Sequence, residues 1–162
     1  KTLTALEEHA FIEQLKGTAL YCGFYVNELA LSFLHKHDPH PQLFKGFSDI
    51  ILKLSTDVRL EANLRQFEKL LLDEIGYGLL LEHDAKTERT IEKNKHYQYI
   101  VSYGATECLA SHPDAVLGSA LINLKDNTLD DKLELKQVKH LMRRLIDVQL
   151  NGKILKSREL FI

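Results

Sequence analysis

The sequence has no tryptophan, one methionine, two cysteines, three prolines and eight glycines in 162 residues. Two cysteines, Cys22 and Cys108, are too few for a disulfide scaffold. They read as incidental thiols of a reduced, cytosolic protein. So little proline and glycine excludes collagen-like and low-complexity chains. A run of 18 uninterrupted apolar residues is also missing. The richest stretch, 19–34, is broken by Asn27, Glu28 and Ser32, so no membrane span is expected. No basic, apolar, small-residue leader is recognised at Lys1, so no secretory signal is expected. The only methionine is Met142 and the first residue is Lys1, so the sequence is expected to begin inside a longer protein.

Leucine is what the chain has in excess. There are 30 leucines against six valines. Leucine is a strong helix former, whereas valine loses rotamer freedom in a helix. A mainly α fold follows, a helical bundle with a small β insertion. Thr4-Ala5-Leu6-Glu7 matches a capping box for a helix to about Leu15, stopped by Gly17. Thr18 to about Lys36 is apolar on nearly all sides, which predicts a helix at the centre of the bundle. Pro41 suits the first position of a helix carrying Phe44, Phe47, Ile50, Ile51 and Leu54. A further helix, from about Val58 to Ile75, carries the stripe Leu60, Leu64, Phe67, Leu71 and Ile75, with Gly76 as its stop.

From Leu79 to Lys95 the helical rhythm fails. Tyr97 to Tyr103 then reads as a strand, Gly104-Ala105 as a turn and Thr106 to Ala110 as the return strand. Ser111 and Pro113 open the next predicted helix, to about Leu124. Thr128 to Asp131 offers a second capping box before a long helix to Leu150. Val138, Leu141, Met142, Leu145 and Val148 face inward there, and Asn151-Gly152 ends it.

The net charge of −2 hides an asymmetry. Residues 132–158 hold eight cations against Glu134 and Asp147, a net of +6, which leaves −8 for the rest. Lys136, His140 and Arg143 share one helix face, and Lys139 and Arg143 are one turn apart. Such a face can neutralise phosphates or an acidic peptide; it can equally be a solvated helix end. His35, His37, Asp38 and His40 have the donors of a metal site, and a metal-dependent hydrolase using them is one alternative. Two prolines and a helix boundary favour a plain polar connection instead. His83, Asp84, His96, Cys108 and His112 contain no C-x-x-C pair, so no metal is assigned. Glu28, within an apolar helix, needs a partner: an ion pair, with Arg65 one possibility, or a helix-cap contact. No P-loop, nucleophile elbow or dinucleotide fingerprint is present. A structural helical interaction module is the remaining alternative.

Three segments resemble one family. Leu20 to Leu29 (LYCGFYVNEL) resembles the first core helix of the bacterial recombination-mediator family RecO. Leu64-Arg65-Gln66-Phe67-Glu68, followed by Ile75-Gly76-Tyr77-Gly78, resembles that family's R-x-F-E and G-Y motifs. Gly152 to Phe161, through Lys-Ser-Arg-Glu-Leu, resembles its most recognisable segment.

The resemblance implies a chain lacking an N-terminal OB fold. Residues 1–3 would be a remnant or linker, 4–78 and 111–162 the helical domain, and 79–110 a zinc-free β insertion. It implies no enzyme and no cofactor, but a cytoplasmic, nucleoid-associated DNA repair protein. Such a protein binds single- and double-stranded DNA, anneals strands and, with RecR, helps load RecA. It also captures the acidic C-terminal tail of single-stranded-DNA-binding protein. Arg65 would contact that tail, with Ile75 and Tyr77 walling the pocket. Lys136, Lys139, Arg143, Arg144, Lys153, Lys156 and Arg158 would meet DNA.

Overall fold

The computed structural model describes residues 14–34, 39–56 and 58–161. The helix predicted from Thr4 falls almost wholly outside these residues, as do His35, His37 and Asp38. The helices are α1 (Gly17–Phe33), α2 (Pro41–Thr56), α3 (Leu60–Glu74), α4 (Gly118–Asp126) and α5 (Lys132–Leu150). The strands are β1 (His96–Ile100), β2 (Gly104–Cys108) and β3 (Val116–Leu117), and a 3-10 helix closes the order at Lys156–Phe161. The protein is mainly α with one three-stranded antiparallel sheet, order β2-β1-β3.

One core runs through both parts. Val26 and Leu29 of α1, Leu71 of α3, and Val138, Met142 and Ile146 of α5 are buried together with Tyr97, Tyr99 and Ala105 of the sheet. The end of α3 is a Schellman stop. Gly76 takes φ +85°, its N–H donates to the carbonyl of Asp73 (3.0 Å), and that of Tyr77 donates to Leu72 (2.7 Å).

Several expectations are corrected. Helix α1 is not central: Leu20, Phe24 and Leu31 are exposed on one side while Cys22, Tyr25, Val26 and Leu29 are buried on the other. Strand β1 stops at Ile100 because residues 101–103 form the hairpin turn, with Ser102 at φ +62°. Strand β2 therefore begins at Gly104. No helix starts at Ser111. Val116 pairs with Tyr97 as a third strand, and α4 begins only at Gly118. A Cβ at Gly118 would collide with the carbonyl of Glu92, so the glycine permits this close crossing. The cap of α5 is Asp131, whose Oδ1 accepts from the N–H groups of Leu133 (2.8 Å) and Glu134 (3.0 Å). Thr128 instead donates to the Asn123 side chain. Val148 is half exposed.

Candidate functional site

Helix α3 places Arg65 and Glu68 three residues apart, on the side facing α1. Both are buried, at 2% and 0% exposure. Arg65 Nη2 donates to Glu68 Oε1 at 2.8 Å, and the Tyr25 hydroxyl of α1 donates to the same oxygen at 2.7 Å. Burial pushes the Glu68 carboxyl up, against the pull of Arg65 and Tyr25. Burial and the Glu68 carboxyl both push the Tyr25 phenol up.

Arg158 of the 3-10 helix comes in beside Tyr25. Its Nη1 donates to Asp147 Oδ1 at 2.5 Å. Burial favours the neutral guanidine, but Asp147 and the tyrosine outweigh it and raise its pKa. Phe161 stacks edge-on against both Tyr21 and Tyr25, with ring centroids 6.4 Å apart in each case.

A small cavity forms where these elements meet. Arg65, Lys139, Arg143 and Arg158 line it with cationic side chains. Tyr25, Leu64 and Phe161 supply its apolar wall, and Glu61 is its one acidic side chain among the described residues. Nε and Nη1 of Arg65 and Nε and Nη2 of Arg158 are buried without a hydrogen-bond partner. Buried donors of this kind are costly unless an acceptor reaches them. The arrangement is therefore suited to a carboxylate or phosphate attached to an apolar group.

The other expected tail contacts lie elsewhere. Tyr77, half exposed, lines a separate cavity of about 340 Å³ with Leu80, Tyr99, Val101 and Leu145. Ile75 packs against the core at the far end of α3. Arg65 and Tyr77 thus belong to different cavities.

The seven candidate DNA contacts divide in two. Lys139 Nζ lies 2.6 Å from Glu61 Oε1. Arg144 donates to Asp114 Oδ2 (3.0 Å) and to the carbonyl of Tyr99 (2.9 Å), which ties α5 to the sheet. Arg158 is held by Asp147. Lys136, Arg143, Lys153 and Lys156 are exposed, and among the described residues none of the four makes a carboxylate ion pair.

Glu28 takes the helix-cap role, not the Arg65 pair. Its carboxylate accepts from the N–H of Lys156 (3.0 Å) and Ser157 (2.8 Å) and from the Ser157 hydroxyl (2.5 Å). Burial works to raise its pKa, yet the serine and the two backbone donors hold it below the usual carboxylate range. The sequence reading gave no role to Tyr25, Glu61 or Phe161. The i, i+3 spacing of Arg65 and Glu68 was a legible signal for the ion pair; the tyrosine above it was not.

Of the histidines at 35–40, only His40 is described; its Nδ1 lies 3.7 Å from Glu74. Among the described residues, no three His, Cys, Asp or Glu side chains are grouped to hold a metal ion. No described helix is long and apolar enough to cross a membrane.

The sequence profile described as "Recombination protein O C terminal" matches residues 14–159, nearly the whole chain. The chain belongs to the RecO family. The DNA repair protein RecO of Coxiella burnetii is 40% identical over 161 residues, covering 99% of this chain and 69% of that relative. RecO of Methylococcus capsulatus is 42% identical over 148 residues, covering 91% of this chain and 61% of the relative. RecO of Dechloromonas aromatica is 37% identical over 168 residues, with 99% and 68% covered. All three are named DNA repair proteins. The matched range 14–159 takes in α1, α3 and α5, and so every residue lining the cationic cavity except Phe161.

Proposed function

We propose that this chain is the helical part of a bacterial DNA repair protein that mediates recombination without catalysis. It works in the cytoplasm at the nucleoid. In this reading it binds single- and double-stranded DNA, anneals strands and cooperates with RecR in loading RecA. It captures the acidic tail of single-stranded-DNA-binding protein at the cavity around Arg65. The observation that carries the tail reading is the set of four buried, unpartnered guanidinium nitrogens beside the Tyr25 and Phe161 rings. A chain terminus of aromatic residue plus carboxylate supplies an acceptor for the first and a ring for the second.

Calorimetry tests it with an acidic peptide ending in Pro-Phe, as free acid and as C-terminal amide. The free acid is expected to bind and the amide to bind at least about tenfold more weakly, the scale of a lost charge-assisted hydrogen bond. Arg143→Ala should also weaken the free acid, and this exposed side chain can be removed without opening the core. Equal binding of acid and amide, or no binding at low salt, would overturn the assignment.

A further inference from the structure

We infer that Glu61 is a built-in competitor that keeps the cationic cavity shut until an incoming carboxylate displaces it. The inference rests on the proposed tail site and adds how that site is gated. Glu61 lies in the first turn of α3, one turn before Arg65, so both side chains project toward the same side. Its Oε1 is 2.6 Å from Lys139 Nζ, and this pair spans α3 and α5 across the cavity wall. The space left inside is about 20 Å³. That is room for roughly one water molecule, far short of a terminal carboxylate with its side chain.

The charges fit a displacement. Among the described residues Glu61 is the only acidic side chain lining the cavity, which it shares with Arg65, Arg143 and Arg158 as well as Lys139. Glu68 and Asp147 already serve Arg65 and Arg158 from behind and leave two nitrogens of each guanidinium unpartnered. The Glu61–Lys139 pair is solvent-accessible, with 45% and 35% of the two side chains exposed. An ion pair of this exposure is weak and exchanges readily. A ligand carboxylate that takes over Lys139 releases Glu61 to water and reaches the buried donors, which Glu61 itself leaves unsatisfied.

The test is fluorescence anisotropy with the labelled acidic Pro-Phe peptide, using wild type, Glu61→Gln and Asp130→Asn. Asp130, in the exposed loop before α5, controls for the loss of one negative charge. Glu61→Gln is expected to bind the free-acid peptide about two- to fivefold more tightly, the scale of an exposed ion pair. Asp130→Asn should match wild type, and the C-terminal amide should gain nothing from Glu61→Gln. Wild-type binding with no gain in Glu61→Gln over Asp130→Asn would overturn the gate and leave the tail site standing. No peptide binding by any of the three proteins would overturn both.

Discussion

Tyr25, Arg65 and Glu68 show how a carboxyl and a guanidinium are kept together inside a helical core. The Glu68 carboxyl group sits at 0% exposure with two donors on a single oxygen, and its Oε2 has no partner. Removing either donor leaves buried polar atoms short of a partner in a place water does not reach. Tyr25→Phe is therefore expected to cost about 1–3 kcal/mol, read as a lower urea midpoint at unchanged slope. Arg65→Glu sets two carboxylates against each other and should cost more, on the order of 3–5 kcal/mol. Loss of peptide binding in that variant would report unfolding, so Arg143 and the peptide terminus are the better probes. A Tyr25→Phe midpoint equal to wild type would show that its hydroxyl does not support Glu68. Cys22 is a bystander in the same core: burial pushes its thiol up to about 11, too high to furnish a thiolate nucleophile at neutral pH.

At the scale of elements, the C-terminal 3-10 helix depends on one carboxylate from α1. Glu28 satisfies the N–H groups of Lys156 and Ser157 and the serine hydroxyl, and so fixes the segment that carries Arg158 and Phe161 to the cavity. Its pKa is lowered on folding, so the folded chain holds its proton less tightly than the unfolded chain does. The associated stability is present above the unfolded carboxylate value, about 4.3, and disappears as pH falls through the lower folded value. Asp84 acts alike in the sheet. Its carboxylate accepts from the N–H groups of Lys86, Thr87 and Glu107, and these donors, overcoming burial, lower its pKa. Thermal melts of Glu28→Gln should show a lower Tm at pH 7 and a smaller loss between pH 5 and pH 3 than wild type. Parallel pH curves for the two proteins would remove Glu28 from this account. These elements also show what the sequence could reveal. The α3 stripe, the Ile50 and Leu54 positions of α2 and the Gly76 stop were legible because period and cap chemistry are local, whereas Phe44 is exposed and Leu43 is buried in its place. The Glu28 contact joins residues 128 apart, and β3 is two residues long and exists only through pairing with β1. Neither leaves a periodic trace. The apolar run of α1 overstated its burial because composition counts side chains without saying which neighbours arrive to cover them.

For the whole molecule, what matters is which cations remain available, rather than how many there are. The segment 132–158 carries a net of +6, but Lys139, Arg144 and Arg158 are committed to Glu61, Asp114 and Asp147. A committed cation gives up its carboxylate before it meets a phosphate, so it adds less to DNA binding. Each phosphate neutralised on a duplex contributes about 0.9 to the slope of log K against log salt. If Lys136, Arg143, Lys153 and Lys156 are the contacts, the quadruple alanine variant should flatten that slope by about 3–4. Lys139→Ala should flatten it by clearly less than one contact's share. Arg144→Ala should show itself mainly as lost stability, since it frees the hold of α5 on Tyr99 and Asp114. Binding measured by anisotropy on a short duplex, from 20 to 200 mM salt, separates these outcomes. A quadruple variant with the wild-type slope would place the DNA-binding surface outside residues 132–158, and the charge asymmetry would then serve the acidic tail alone.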